Sequence, residues 1–96
     1  MQFRFSNPMW HWRGPSPFYF ITVPAEISAD IKELSRDLTY GWGMIPVTAR
    51  IGATTFTTSL FEKDGGYILP IKKLVRIAEE LEQDATVAVR MDFRLN

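Results

Sequence analysis

The chain has no cysteine and a single histidine, His11, among its 96 residues. Those scarcities exclude disulfides, thiolate nucleophiles, zinc–thiolate sites and any metal site built from several imidazoles. Net charge is missing too: eleven Lys and Arg offset eleven Asp and Glu. The balance holds in each half, four of each sign over residues 1–48 and seven of each over residues 49–96. A duplex-binding protein ordinarily gathers an excess of cations on one face. Nucleic acid is therefore disfavoured as a partner, although folding can still cluster Lys72, Lys73 and Arg76. No apolar run approaches a membrane span, and the opening Met1-Gln2-Phe3-Arg4-Phe5 alternates where a signal-peptide core would be continuous. The expectation is a cytoplasmic protein with no membrane partner. Phosphate-binding fingerprints are absent as well, because Gly41-Trp42-Gly43 lacks a third glycine and follows a helical pattern.

What the chain does have is apolar bulk, with 46% hydrophobic and 14% aromatic residues. A chain of this size makes one domain with one core, burying about 60–65% of its unfolded surface. Residues 1–96 are accordingly read as a single domain and a monomer. Phe3 and Phe5 alternate with polar neighbours as in a half-buried strand, and Asn7-Pro8 is expected to break it. Trp10-His11-Trp12 resumes the alternation, and Phe18–Val23, apolar at nearly every position, reads as a strand covered on both faces.

Pro24 is expected to open a helix whose apolar stripe is Ile27, Ile31, Leu34 and Leu38, with Ser28 as an alternative N-cap. Gly41 and Gly43 end that segment. Strands follow at Met44–Ile51, Thr54–Phe61 and Tyr67–Leu69, the last two joined at Asp64-Gly65-Gly66. Pro70 is expected to open a second helix with Ile71, Leu74, Val75, Ala78 and Leu81 on its inner face. Val87, Val89, Met91, Phe93 and Leu95 then alternate with polar residues as the clearest strand.

The order hairpin, proline, helix, strand occurs twice, with Pro24 and Pro70 standing 46 positions apart. One copy has too little core and too many open edges to be stable alone. Two interleaved copies, about residues 1–52 and 53–96, would close a small, mainly β barrel carrying two short helices. The run Trp42-Gly43-Met44-Ile45-Pro46-Val47, then Arg50-Ile51-Gly52, Thr58-Ser59-Leu60-Phe61, Tyr67-Ile68-Leu69-Pro70, Lys72 and Val75-Arg76 resembles the bacterial family called domain of unknown function 1905. That resemblance covers almost the whole chain and implies a closed double-split β-barrel, the architecture that swapped-hairpin antitoxins and transition-state regulators build from two chains. Glu62 stands where the family tends to have proline, and Glu82-Gln83-Asp84 where a Gly-Asp pair is usual.

Two sets of residues are candidates for binding. Lys72 and Arg76 lie i, i+4 on the second predicted helix, and with Arg50, Thr58 and Ser59 they suit a carboxylate or phosphate. The plainer alternative is a solvated helix face with Arg76 paired to Glu79 or Glu80. Trp10, Trp12, Trp42 and Tyr67 can line a pocket for a flat or apolar ligand, against the alternative that they fill the core. His11 lacks a sequence-placed nucleophile or carboxylate partner and reads as a surface residue. The leading expectation is a non-enzymatic module, without cofactor or metal, that recognises a small anionic ligand or a protein through Arg50, Thr58, Ser59, Lys72, Arg76, Trp42 and Tyr67. A DNA-binding, antitoxin-like role is the alternative, on fold analogy alone.

Overall fold

A computed structural model describes residues 1–14, 18–38 and 44–93, with the backbone alone over 35–38. Its elements run β1 (Gln2–Trp12), β2 (Phe18–Thr22), α1 (Ala25–Leu38), β3 (Ile45–Ile51), β4 (Thr54–Lys63), β5 (Gly66–Pro70), α2 (Lys73–Ala78) and β6 (Thr86–Asp92). The strands close into a barrel in the order β1-β2-β5-β4-β3-β6, with every pairing antiparallel. Exchanging β1, β2 and β3 for β4, β5 and β6 leaves that neighbour order unchanged. The alternating strands behave as their pattern demands: Ile45, Val47, Ala49 and Ile51 of β3 and Val87, Val89 and Met91 of β6 point inward and are buried. Leu60, Leu69, Ile21 and Ile31 complete the centre, each without measurable exposure. Asp64 and Gly65, at φ 51° and 81°, make the two-residue turn between β4 and β5, the left-handed pair a type I′ hairpin requires.

Five local expectations are corrected. β1 does not break at Asn7-Pro8. It pairs β6 from Gln2 to Pro8 and β2 from Met9 to Trp12, so Pro8 sits at the handover between ladders, where a missing N–H costs least. β2 is only partly covered on its outer face, since Phe18 is half exposed. Pro24 is the cap of α1, its carbonyl accepting the Ser28 N–H at 2.8 Å. Ser28 therefore lies inside the first turn, buried, its hydroxyl donating to the Val23 carbonyl and accepting the Tyr67 N–H at 3.2 Å.

Pro70, finally, ends β5 and does not begin α2. It pairs with Phe20, and the Ile71 N–H still donates to the Tyr19 carbonyl at 2.9 Å, so the β ladder wins over helix initiation until Lys72. α2 then lasts only to Ala78. The Leu81 N–H bonds the Arg76 carbonyl at 2.9 Å and the Glu80 N–H the Ile77 carbonyl at 3.3 Å, with Glu80 at φ 50°. This is a Schellman termination with glutamate where glycine is preferred. The shortened helix buries Val75 but leaves Leu74, Ile77 and Ala78 exposed, so the expected five-residue stripe reduces to Ile71, Val75 and a half-buried Leu81. Leu95 and the Gly41–Gly43 segment lie outside the described residues.

Two substitutions test this packing. Leu60→Ala removes a fully buried side chain and is expected to cost about 2–5 kcal/mol by urea unfolding. Glu80→Gly relieves a left-handed residue that bears a Cβ, and the same assay should show a gain of about 0.5–1 kcal/mol. A loss at Glu80→Gly would mean that α2 ends in some other way.

Candidate functional site

The phase of β1 decides what faces outward. Phe3, Phe5 and Met9 point into the barrel, so on an unbroken strand Trp10 and Trp12 must point out. Their cross-strand partners are Phe20 and Phe18. Trp10 and Phe20 have ring centroids 5.2 Å apart, and Trp12 stacks on Phe18 at 6.4 Å. Phe20 extends the chain of rings to Phe61 at 6.4 Å, edge to face. The Trp10 indole N–H is fixed by the Thr22 hydroxyl at 2.9 Å. Gly14 lets the Trp12 ring lie against the backbone, since a Cβ there would occupy the same space. Together with Ile68 and Pro70 these rings form an outer groove of about 430 Å³ with Lys63 at its rim. Core filling is thus not the role of Trp10 and Trp12.

A second cavity of about 600 Å³ adjoins this groove and shares Phe18, Phe61 and Pro70 with it. Its polar wall comes from Thr58 and Ser59 on β4 and from Lys72, Lys73 and Arg76 on and before α2. Tyr19, Met44 and Ile71 supply the rest. The Arg76 guanidinium carbon stands 4.1 Å from the centre of the Tyr19 ring, a cation–π contact, while its Nε is buried and has no hydrogen-bond partner among the described residues. Glu79, the expected counter-ion, is instead engaged by the Thr54 hydroxyl at 2.6 Å. No ion pair forms at Arg76 among the described residues, where Lys63–Asp64 and Arg90–Asp92 are the salt bridges. Lys72 donates to the Thr57 carbonyl at 2.6 Å, which holds its ammonium at the edge of the cavity. An apolar floor beside two hydroxyls and a guanidinium that no described carboxylate neutralises suits an anion carrying a flat or aliphatic body.

Four of the expected residues, Thr58, Ser59, Lys72 and Arg76, therefore meet in one cavity. Arg50 does not line it; on the outer face of β3 it stands opposite Arg90, its Nε donating to the Gly52 carbonyl at 3.0 Å. Tyr67 is 2% exposed and belongs to the core. Trp42 lies outside the described residues. His11, expected at the surface, is half-buried with its ring 4.8 Å from that of Tyr19. Tyr19, Phe18, Phe61 and Lys73 were not anticipated as site residues. The signal for Phe18 was available in the strand phase: counting in twos from Phe3 places Trp10 and Trp12 outside, and antiparallel pairing then brings Phe20 and Phe18 beside them.

A family model described as Domain of unknown function (DUF1905) matches residues 5–91. The chain belongs to that family. The match runs from Phe5 on β1 to Met91 on β6, so all eight elements of this DUF1905 domain lie wholly or largely within it. No curated protein matches the chain. Among the described residues, no helix is long and apolar enough to cross a membrane.

The lack of a counter-ion at Arg76 among the described residues has an energetic consequence. Replacing it with methionine removes a cation–π contact worth about 0.5–1 kcal/mol but also relieves a partly desolvated charge. Arg76→Met is therefore expected to stay within about 1 kcal/mol of the parent in urea unfolding. A loss of about 3 kcal/mol or more would point to a buried charge partner at Arg76.

Proposed function

We propose that this DUF1905 domain is a non-catalytic binding module for a small amphipathic anion, a carboxylate or phosphate ester with an aromatic or aliphatic body. The observation that carries the reading is Arg76, held over the Tyr19 ring with no carboxylate partner among the described residues, in a cationic cavity that adjoins an aromatic groove. The anion is received by Arg76 and Lys72, with Thr58 and Ser59 as hydroxyl donors, and the apolar body lies across Phe18 and Phe61 toward Trp10 and Trp12. Charge-assisted hydrogen bonds from a fork-shaped guanidinium fix orientation, and the rings supply contact area. His11 lies against Tyr19, and we assign it no proton-transfer role. We also read the halves, about residues 1–52 and 53–96, as a pseudo-repeat building a double-split barrel, supported by a strand order that survives exchange of the two halves.

Titration with 1-naphthoate, an aromatic carboxylate, tests the binding site. A saturable change in tryptophan emission is expected from Trp10 and Trp12, with affinity at least about tenfold weaker in Arg76→Ala, since a charge-assisted hydrogen bond is worth about 1.5–3 kcal/mol. The melting temperature of that variant should move by only a few degrees, roughly what 1 kcal/mol does to a domain of this size. No saturable response to naphthoate, or an unchanged affinity in Arg76→Ala, would remove the reading.

A further inference from the structure

Three arginines stand side by side on a different part of the barrel wall. Arg4 of β1 is directly opposite Arg90 of β6, and Arg90 is directly opposite Arg50 of β3. With neighbouring strands about 4.7–4.9 Å apart, the row spans about 10 Å. Like charges directly opposite one another destabilise a sheet, and Arg90 has one on each side. The row carries little internal compensation. Among the described residues Asp92 is the single carboxylate paired with it, 3.4 Å from the Arg90 Nε, and the Gln2 amide also engages Asp92. That Arg90 Nε is buried and makes no hydrogen bond among the described residues.

Where the other two are fixed, they are fixed by Nε: Arg4 to the Gln2 side-chain oxygen at 3.2 Å and Arg50 to the Gly52 carbonyl at 3.0 Å. The terminal nitrogens of all three make no hydrogen bond to the described residues. Small residues beside the row, Ser6, Ala88 and Gly52, leave a basin of about 430 Å³ lined by all three arginines.

We propose that Arg4, Arg90 and Arg50 form a binding site for a compact oligophosphate, a di- or triphosphate group. Guanidinium forks match phosphate oxygens two at a time, and a bridging polyanion converts the repulsion along the row into attraction. The edges of the basin argue for a compact ligand over an extended polyanion. Asp92 bounds one side, and the Glu79 carboxylate lies against Gly52 on the other, where a Cβ would collide with it. A phosphate backbone running along the strands would have to cross one of these carboxylates, and one running along the row would pass beyond its three guanidiniums within about 10 Å; two or three linked phosphates do neither. The proposal is independent of the Arg76 cavity.

The test is thermal melting and calorimetric titration of the full chain with sodium tripolyphosphate, against sodium chloride of equal ionic strength. Tripolyphosphate well above its Kd should raise the melting temperature by roughly 5–10 °C. Arg90→Gln should melt at the same temperature as the parent or higher without phosphate, because a repulsive centre is gone, and should lose at least about tenfold in affinity. Arg4→Gln, near the strand end, supplies the same affinity readout should Arg90→Gln fail to fold. The proposal is overturned by a response no larger than that to chloride, by Arg90→Gln or Arg4→Gln binding as the parent does, or by a folded Arg90→Gln melting well below it. A short DNA duplex that binds more tightly than tripolyphosphate at the same ionic strength, and does so through Arg90, would overturn the compact-ligand assignment.

Discussion

Closure of the barrel is the constraint on which the rest depends, and β1 is the strand that achieves it. A sheet of short strands left open exposes unpaired backbone along two edges and is marginal in water. β1 joins the two ends of the sheet by pairing β6 with its first half and β2 with its second. One eleven-residue strand thereby joins the first hairpin to the last strand of the chain. The side chains follow from that geometry. Phe3, Phe5 and Met9 of β1 are committed to the core and the even-numbered residues to the outside, and no local preference of tryptophan can reverse the assignment without reversing Phe3 and Phe5 as well.

Inner and outer walls then take on different work. Inside, Ile, Val, Leu and Met side chains pack with almost no exposure, and each contributes roughly 1.5–3 kcal/mol on burial. Outside, the same strands carry two chemically distinct stripes. β2, β4 and the end of β1 present rings that, with Ile68 and Pro70 of β5, lead to Arg76, while β6, β3 and the start of β1 present the arginine row. The near-neutral overall charge hides this segregation completely.

Much of the architecture was legible in the residues, and the failures have physical causes. Period-two alternation located β3 and β6 because each has one buried and one exposed face. The Asp64-Gly65 turn was legible because few residue pairs tolerate two left-handed conformations in succession. Pro70 misled because proline suits both a first helical turn and the end of a strand, and the ladder to Phe20 decides between them only in three dimensions. The inner stripe assigned to α2 failed for a related reason: Leu74 and Ala78 fit the helical period, but the turn at Glu80 ends the helix before that face can be used. At the site, Lys72, expected on the helix, is instead its extended N-cap residue, and it lines one cavity with Arg76 of α2 and with Thr58 and Ser59 of β4. Arg50 could not be placed by spacing, because its neighbour Arg90 is 40 positions away and meets it only through the pairing of β3 with β6.

Pro8 has one more effect. From Gln2 to Pro8, the side of β1 turned away from β6 has no ladder partner among the described residues, and such a margin ordinarily invites a stranger's strand to zip on. A newcomer would find no amide proton at Pro8, and at Asn7 it would meet a side-chain amide already spanning to the Thr22 carbonyl at 2.6 Å. The residue that marks the change of partner within the molecule thus also works as a guard against partners from outside it.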